Sequence, residues 1–480
     1  MILQLLLLPL IGAIAVWLSG DKWASRVALF FTLAEMVLTF SAYQSYSSTG
    51  EAFYFFREWI TAPKVSLHFA ADGLTIAMLL LTNFLLPLIV LTTFNREISN
   101  RRSYFALMLA MQFALVGVFM AMDGLLYYIF WELALIPIYF IALLWGGANR
   151  IQVTLKFFIY TLGGSLLMLF GFIALYWYNP AHSFDIRELY NNKVCDCNQG
   201  WLFWMFFIAF AIKIPIVPFH TWQADTYKEA PTQGTMLLAG IMLKMGTYSL
   251  IRWLLPILPS GVAEWGPLAI TLSVIGIVYA SIIAIMQRDL KRLFAYSSVA
   301  HVGLIAAGIF SLNIQGLQGS VVQMLAHGVN VIGLFFCADI IYNRVQTNNI
   351  DELGGIRNIA PKFNTLFLIV VLGSVALPLT NGFIGEFMLL YGVYSYNTWL
   401  AVFATLTIIL GAVYMLRMFQ HTMLGNITDK VKVFTDLKWN EWLVLGIIAV
   451  VIFATGLYPK PILDLTEPVI SAIQKQSLIK

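Results

Sequence analysis

Charged side chains are scarce in this sequence. Of its 480 residues only 11% are Asp, Glu, Lys or Arg, while 60% are hydrophobic. In a soluble domain roughly half of the residues are apolar and about a quarter are charged. No soluble fold could bury so much apolar surface, which excludes a soluble enzyme or binding module. Lipid must therefore be the solvent for most of this chain.

Cysteines and nucleotide-binding motifs are equally sparse. Of three cysteines, Cys195 and Cys197 lie too close together for an easy disulfide, and Cys337 lies inside an apolar run. There is no CxxC pair or cysteine quartet for zinc or an iron–sulfur cluster, and no GxGxxG motif or phosphate loop. No two histidines have the close helical spacing of a metal site. We therefore expect no nucleotide, metal or redox centre on this chain. The net charge of +4 gives no indication of nucleic-acid binding.

The hydrophobic residues are gathered in runs of membrane-spanning length. A helix needs about 20 apolar residues to cross a bilayer. Fourteen runs qualify, which predicts an all-α polytopic membrane protein with about 14 transmembrane helices. The predicted spans are 1–18, 26–46, 73–94, 104–122, 124–145, 153–178, 200–222, 232–254, 265–286, 292–311, 317–343, 362–391, 397–419 and 440–458.

Lysine and arginine are unevenly distributed over the loops. If the amino terminus is outside, the odd-numbered loops carry 18 of the 28 basic residues. The even-numbered loops and the carboxyl tail carry 8, including Lys193 and Lys480. Because basic loops stay in the cytoplasm, this asymmetry predicts a multi-pass protein of the cell inner (cytoplasmic) membrane with both termini on the outer side.

Two of the longer loops have local patterns of their own. Within 47–72, the loosely alternating segments FYFFREW and KVSLHF predict a hairpin on the outer face. The loop 179–199 is long enough to hold a short surface helix.

Two lysines lie inside predicted spans of the stretch 209–253. Lys213 follows an apolar run and precedes Pro215 and Pro218, which break the helix, and Lys244 lies near the middle of the next run. A lysine near the centre of a membrane costs about 2.5–3.5 kcal/mol. A protein that served only as a membrane anchor would have no reason to keep two such lysines, one of them beside a proline break. The stretch therefore predicts the centre of a proton path.

A second interrupted helix is predicted at ALPLTNGFIGEF, which contains Pro378, Asn381, Gly382, Gly385 and Glu386. Spans four to eight and nine to thirteen each carry their break at the fourth place. Five spans separate the repeats, so the second repeat is inverted relative to the first. Paired broken helices in inverted repeats point to a transport site. The predicted domains are 1–103 (spans one to three), 104–254 (first five-helix repeat), 265–419 (second, inverted repeat) and 420–480 (span fourteen and tail).

Glu132 lies about eight residues into its span, and Lys213 and Lys244 are the cations available to it. A buried carboxylate is costly unless it is paired. One interpretation is a fixed ion pair that only sets helix register. The other is a tunable pair: protonated Lys213 is stabilised while Glu132 is close, and burial favours loss of its proton when Glu132 withdraws. The second is favoured because ionisable groups inside membranes are usually functional.

Glu386 and the histidines complete the candidate groups. Glu386 is the candidate proton outlet, or alternatively a capping carboxylate where the broken helix resumes. His301 and His327 lie inside spans and are equally interpretable as proton relays or as packing residues. His220, near an inner helix end, is a candidate for proton uptake. The surface candidates are His68, His182 and His421. Glu35 is expected to face a neighbouring subunit, or like Asp339 to be merely interfacial.

Several long motifs of this chain resemble those of the antiporter-like membrane subunits of respiratory complex I. They are FWELALIPIYF, FAIKIPIVPFHTWQADTYKEAPTQGTMLLAGIMLKMG, QRDLKRLFAYSSVAHVGL, MLAHG and NGFIGEF. The resemblance covers about residues 70–425. It implies fourteen spans, two inverted five-helix repeats and broken seventh and twelfth helices.

The resemblance also implies roles for particular residues. It places proton translocation on Glu132, Lys213, Lys244 and Glu386. In the related subunits L and N, and in multisubunit sodium/proton antiporters, the last of these is usually lysine. Glutamate at position 386 therefore favours the subunit M branch, called chain 4 in mitochondria.

The function implied is proton translocation by a membrane-arm subunit of NADH:quinone oxidoreductase, a translocase, with no redox centre on this chain. NADH, FMN, iron–sulfur clusters and quinone are then expected in partner subunits, with subunits L and N as the particular membrane partners. One alternative is a subunit of a multisubunit cation/proton antiporter or of a hydrogenase-linked ion pump. Another is a structural spacer whose charged residues only lock helices together.

Overall fold

The computed structural model describes residues 1–192 and 194–478, which are mainly helical. Lys193 and Lys480, two of the basic residues assigned to the outer side, lie outside the described residues. In chain order the helices are α1 (Ile2–Ser19), α2 (Ala24–Thr49), α3 (Gly73–Leu91), α4 (Arg101–Met120), α5 (Gly124–Trp145), α6 (Arg150–Tyr178), α7 (Ile186–Asn191), α8 (Asp196–Lys213), α9 (Gln223–Glu229), α10 (Thr232–Ile257), α11 (Pro259–Met286), α12 (Leu290–Phe310), α13 (Ile314–Val345), α14 (Ile356–Ile359), α15 (Pro361–Ser374), α16 (Asn381–Tyr396), α17 (Thr398–Met423), α18 (Trp439–Leu457) and α19 (Lys460–Leu478).

Among the described residues, 12 helices are long and apolar enough to cross a membrane: α1–α6, α10–α13, α17 and α18. They coincide with twelve of the predicted spans. The other two predicted spans, 200–222 and 362–391, are the ones expected to be broken, and the helix is interrupted in both. The all-α polytopic fold with two discontinuous helices is therefore confirmed. The count of fourteen and the inverted repeats stay predictions.

The two long loops contain the hairpin and the short helix that their sequences predict. Strands β1 (Phe53–Ile60) and β2 (Val65–Ala71) form an antiparallel hairpin in which Phe55 pairs with Phe69. Helix α7 lies within 179–199, as expected. The stretch after span fourteen, predicted only as a tail, is instead the amphipathic helix α19. Its acidic residues make it too polar for a span, so a search for apolar runs passes over it.

Side-chain caps begin several helices. Asp72, Asp123, Asp289 and Asn313 each accept a hydrogen bond from a backbone N–H of the first turn of α3, α5, α12 and α13. Such a cap contributes about 1 kcal/mol and satisfies a donor that the helix itself leaves open. The caps therefore help to fix where these four helices begin.

The chain divides into two compact units. The first unit comprises residues 1–214, 242–269 and the carboxyl-terminal residues from 464, and the second comprises 215–241 and 270–463. Within the first unit α3 is largely buried, and within the second α12 and α13 are. Buried helices of this kind can hold polar side chains away from lipid, and the candidate residues His301 and His327 lie on α12 and α13.

His68, predicted to lie at the surface, is in fact buried on β2. Its Nδ1 is 2.7 Å from Oδ2 of Asp185, and Nε of Arg187 donates to Oδ1 of the same carboxylate at 2.9 Å. Burial alone would raise the pKa of Asp185, but the hydrogen bonds from His68 and Arg187 hold it well below its usual range. The two partners are 117 residues apart in sequence, so only the fold brings them together. His182 and His421 are exposed, as predicted.

Replacing Asp185 with alanine should loosen the hairpin. Removing Asp185 leaves the buried His68 without its hydrogen-bond partner, which costs about 1–3 kcal/mol, so backbone amides of β2 should exchange with deuterium faster at neutral pH. Because the pKa of Asp185 is lowered in the folded state, the stabilisation is present above the unfolded pKa of about 3.9 and is lost as pH falls below it. Hydrogen–deuterium exchange mass spectrometry measures this. Glu188→Ala, on the exposed side of α7, is the matched control, and equal exchange in both variants would contradict the prediction.

Candidate functional site

Glu132 lies on α5, nine residues after the cap Asp123, on a helix otherwise apolar at this level. It is half-buried and shares a side-chain hydrogen bond with Ser165 of α6. Its Oε1 is buried, and within the described part of the chain it has no hydrogen-bond partner. The carboxyl group is thus held on one side only, and its second oxygen can accept a proton or a hydrogen bond.

Lys213 is the last residue of α8 and only 3% exposed. Its Nζ lies 5.3 Å from the ring centroid of Trp131, and a desolvated cation over an aromatic ring gains about 2 kcal/mol. The charges of Lys213 and Glu132 act on each other. Among the described residues, however, no salt bridge joins them. The predicted pair therefore interacts at a distance, with Trp131 beside the ammonium group.

Lys244 is 1% exposed on α10. It lies between two π-helical turns, Leu238–Met242 and Leu250–Leu254. Such turns are frequent at functional sites because they rotate the side chains that follow. At Gly246 an added Cβ would lie 2.5 Å from Cγ1 of Ile214. The glycine therefore allows α10 to approach the residue that directly follows Lys213.

The first interruption extends over residues 214–222, between α8 and α9, and contains Pro215 and Pro218 as predicted. Proline removes a backbone donor and cannot continue a helix interior. His220 lies in this segment, 7% exposed, with its ring edge-on to Tyr279 at 5.2 Å between centroids. Its position does not test a role in proton uptake.

The second interruption extends over 375–380, between α15 and α16. The side chain of Asn330 on α13 spans it: its Nδ2 donates to the carbonyl oxygen of Gly373 at 2.9 Å and to Oδ1 of Asn381 at 3.1 Å. Non-helical backbone inside a membrane protein is tolerated only where protein or water satisfies it. Asn330 performs that function here, which the sequence pattern did not indicate.

Replacing Asn330 with leucine should destabilise this interruption. The change keeps the side-chain size but leaves buried polar groups without their donor, which costs about 1–3 kcal/mol. We expect a lower thermal midpoint for the purified protein and faster deuterium uptake in a peptide covering 375–382. Asn358→Leu, at an exposed position of α14, should change neither. If both variants behave alike, the bridging role is wrong.

Glu386 is 1% exposed on α16, one turn after the second interruption. Nδ1 of His301 lies 2.9 Å from its Oε1, and Nε2 of Gln323 donates to the same oxygen at 3.2 Å. The other oxygen, Oε2, is buried and has no hydrogen-bond partner among the described residues. The structure thus places two predicted site residues, His301 and Glu386, in direct contact.

His327 joins this group through a shared polar cavity. Its ring centroid is 6.1 Å from that of His301, and its Nε2 is 3.1 Å from Oγ of Ser298. A small cavity of about 10 Å³ is lined by both histidines, Ser298 and Gln323. Ser298 and Gln323 were missed from the sequence. Each lies three or four residues before a membrane histidine, so helical i, i+3 and i, i+4 neighbours would have identified them.

Two further acidic residues are buried within the protein. Glu35 is fully buried and contacts Asn83 of α3 within its own chain, so it does not face a neighbouring subunit. Asp339 is 2% exposed near the carboxyl end of α13, and its placement at the membrane interface stays a prediction. Apolar periodicity identified both as lying within spans but could not show which way they face.

Comparisons with known proteins assign the chain to a family. The family model described as "NADH:quinone oxidoreductase/Mrp antiporter, TM" matches residues 121–411. NADH-quinone oxidoreductase subunit M of Rickettsia typhi is 38% identical over 471 residues, which cover 95% of each chain. NADH-ubiquinone oxidoreductase chain 4 of Arabidopsis thaliana is 35% identical and covers 96% of this chain and 94% of its own length. The chain belongs to this family of membrane subunits, and the predicted resemblance is confirmed.

Solved structures agree with this assignment. A chain of respiratory complex I from Thermus thermophilus with bound NADH superimposes with a TM-score of 0.92 at 28% identity, covering 99% of this chain and 100% of its own. A chain of the archaeal membrane-bound sulfane sulfur reductase has the same fold, with a TM-score of 0.87 at 21% identity over 99% of both chains. The protein is therefore a multi-pass membrane protein of the complex I membrane-subunit type.

Proposed function

We propose that this chain is a proton-translocating membrane-arm subunit of an NADH:quinone oxidoreductase, coupling quinone reduction elsewhere in the complex to proton movement. The observation that carries the proposal is the burial of Lys213, Lys244 and Glu386 in apolar helices, two of them next to helix interruptions. Retaining buried ionisable groups at a cost of several kcal/mol is understandable if they carry protons. The names of the relatives support the same function.

In the first unit, the relevant groups are Glu132, Lys213 and Lys244. Lys213 already has the stabilisation of the Trp131 ring, so a change in the distance to Glu132 would decide whether it keeps its proton. Glu132 has a free buried oxygen on the side not held by Ser165. We infer that movement of Glu132 towards Lys213 loads the lysine, and that its withdrawal releases the proton towards Lys244.

In the second unit, the groups are His301, His327 and Glu386. Nδ1 of His301 lies 2.9 Å from Oε1 of Glu386 but makes no aligned hydrogen bond among the described residues. A small rotation of the ring would let a proton pass from imidazolium to carboxylate. His327 lines the same small cavity. Imidazole titrates in the range where proton exchange is readily reversible. Glu386 is thus the proposed outlet, with Gln323 orienting its carboxylate, and His220 remains the proposed uptake group.

The remaining details follow from the same proposal. The two predicted five-helix units would be inverted repeats within fourteen spans, and both termini would lie on the outer side of the inner (cytoplasmic) membrane. The catalytic assembly would be a translocase in which NADH, FMN, iron–sulfur clusters and quinone belong to partner subunits. Subunits L and N are the proposed membrane neighbours.

Reconstitution of the assembled complex tests this function. Vesicles containing the complex should acidify internally on addition of NADH and a quinone, without sodium in the medium. Co-purification followed by mass spectrometry should identify complex I partner subunits. Sodium-dependent proton flux without NADH or quinone would overturn the proposal in favour of a cation/proton antiporter, and co-purification with hydrogenase subunits would favour a hydrogenase-linked pump.

A structural spacer is distinguished by one substitution. Glu132→Gln keeps the shape and the hydrogen bond to Ser165 but removes the charge. A pump should then assemble normally while translocating fewer protons per NADH oxidised. A spacer, in which Glu132 only locks helices, should lose assembly and keep the stoichiometry of whatever complex remains.

A further inference from the structure

Glu35 on α2 is a buried acidic group that the proposed proton path does not use. Its side chain is fully buried. Oε1 accepts a hydrogen bond from Nδ2 of Asn83 on α3 at 3.3 Å, and Oε2 is buried without a partner. Within the part of the chain that the structure describes, no basic side chain pairs with it. An ionised carboxylate would be poorly stabilised here.

Two amides continue from Glu35 as a row across three helices. The Nδ2 group of Asn83 also donates to Oγ1 of Thr39 at 2.7 Å, and Nε2 of Gln112 on α4 donates to Oδ1 of Asn83 at 2.8 Å. Asn83 and Gln112 are both fully buried. The row therefore begins at the carboxyl group on α2 and ends on α4, with Oε1 of Gln112 buried and without a hydrogen-bond partner.

Thr39 determines the polarity of this row. Its hydroxyl donates its single hydrogen to the carbonyl oxygen of Glu35 at 2.8 Å, so its oxygen must accept from Asn83. Asn83 therefore presents its NH₂ group to α2 and its oxygen to α4. Gln112 must then donate, which leaves its oxygen at the far end. All N–H groups in the row point towards Glu35, and the open end is an acceptor.

The open end lies on α4, which packs against two of the helices that carry the first unit's site residues, α5 and α10. The rings of Phe113 on α4 and Phe130 on α5 are 5.4 Å apart, adjacent to Gln112 and two residues before Glu132. On the other side, Tyr248 of α10, one turn after Lys244, donates to the carbonyl oxygen of Phe119 on α4 at 2.8 Å.

No other titratable side chain lies at the level of Glu35 in the described parts of the helices packed against it. Helices α1, α3 and α4 contact α2, and α1 and α3 contain no ionisable side chain. The ionisable residues of α2 and α4 lie at least eight residues along their helices from Glu35 and Gln112, respectively. They are Arg26, Tyr43, Tyr46, Arg101, Arg102 and Tyr104.

We propose that Glu35 is a proton-binding site, neutral at neutral pH, whose ionisation is coupled through the Asn83–Gln112 row to positive charge arriving at the open end. A cation at Oε1 of Gln112 strengthens each N–H donor in the row, because hydrogen bonds in series polarise one another. The carboxylate form of Glu35 is then favoured. On ionisation the O–H bond at Oε2 breaks, the proton passes to water, and Asn83 stabilises the anion. The coupling rests on the proposed function, since the arriving charge is that of the proton path.

Infrared difference spectroscopy of the assembled complex tests the site. At neutral pH the protonated-carboxyl C=O band of Glu35 should be present and should disappear in Glu35→Gln. It should persist, shifted, in Glu35→Asp, which serves if the glutamine variant assembles poorly. Glu51→Gln, at an exposed position after α2, is the control. An unchanged spectrum in Glu35→Gln would overturn the proposed site.

Gln112→Leu tests the coupling separately. It should leave the resting Glu35 band in place but abolish the change that NADH oxidation produces in that band. A full-sized change in this variant would overturn the coupling. Because proton pumping is measured independently, loss of the Glu35 band would leave the proposed function intact. Conversely, a failure of pumping would leave a resting Glu35 band unaffected.

Discussion

Replacing Lys213 with methionine should nearly abolish proton translocation through this chain while the complex still assembles. Methionine fills the buried space and retains contact with Trp131, and apolar replacement of a buried charge is often neutral or stabilising. The proton carrier itself is lost, and positioned proton-transfer groups typically contribute ~10²–10⁴-fold to a rate. We therefore expect coupled proton flux through this chain to fall by roughly tenfold or more.

The measurement is the number of protons translocated per NADH oxidised by reconstituted complex, with subunit content checked by mass spectrometry. Lys228→Met is the matched control, because Lys228 lies on α9, exposed at the end of the same interrupted segment. It should pump normally. Unchanged stoichiometry in a fully assembled Lys213→Met complex would remove this residue from the path.

Replacing Glu386 with glutamine should have a similarly large effect for a different reason. Glutamine preserves an oxygen that can accept from Gln323, so the local packing of α13 against α16 survives. It cannot accept a proton from His301, whose Nδ1 lies 2.9 Å from the carboxylate oxygen. We expect proton release to be blocked and NADH oxidation by sealed vesicles to slow with it.

An uncoupler separates the possible causes of that loss. If the outlet is blocked, an uncoupler should not restore NADH oxidation in the variant to its normal rate. In sealed wild-type vesicles, where only the proton gradient slows NADH oxidation, the uncoupler should restore the full rate. Asp429→Asn is the control in the same unit, because Asp429 has a side chain that is 95% exposed. Normal pumping by assembled Glu386→Gln complex would assign the outlet to another group.

The sequence predicted the features that depend on residues close together in the chain. Helices α1–α6 and α10–α13 follow from apolar run length alone, because a span must satisfy its backbone internally and expose apolar side chains. The two interruptions follow from Pro215, Pro218 and Pro378, since a ring without an N–H acts on its own turn. The hairpin follows from alternation within one loop.

Such local patterns could not predict which side chains on different helices contact one another. Nothing in the run around His68 indicates Asp185, and nothing near Asn330 indicates that it spans an interruption 43 residues later. Glu35 was placed in the correct span, but its contact with Asn83 was not predicted, because run length does not show which face of a helix meets a neighbour.

The sequence by itself determined that this is a polytopic membrane protein, where two of its helices break, and which buried charges it retains. These are properties of single segments in lipid, where hydropathy and backbone donors decide the outcome locally. Only the tertiary structure decided that His301 touches Glu386, that Lys213 lies beside Trp131 rather than in a salt bridge, and that an amide row leads from Glu35. Those contacts join helices distant in sequence, and their geometry depends on how whole helices pack.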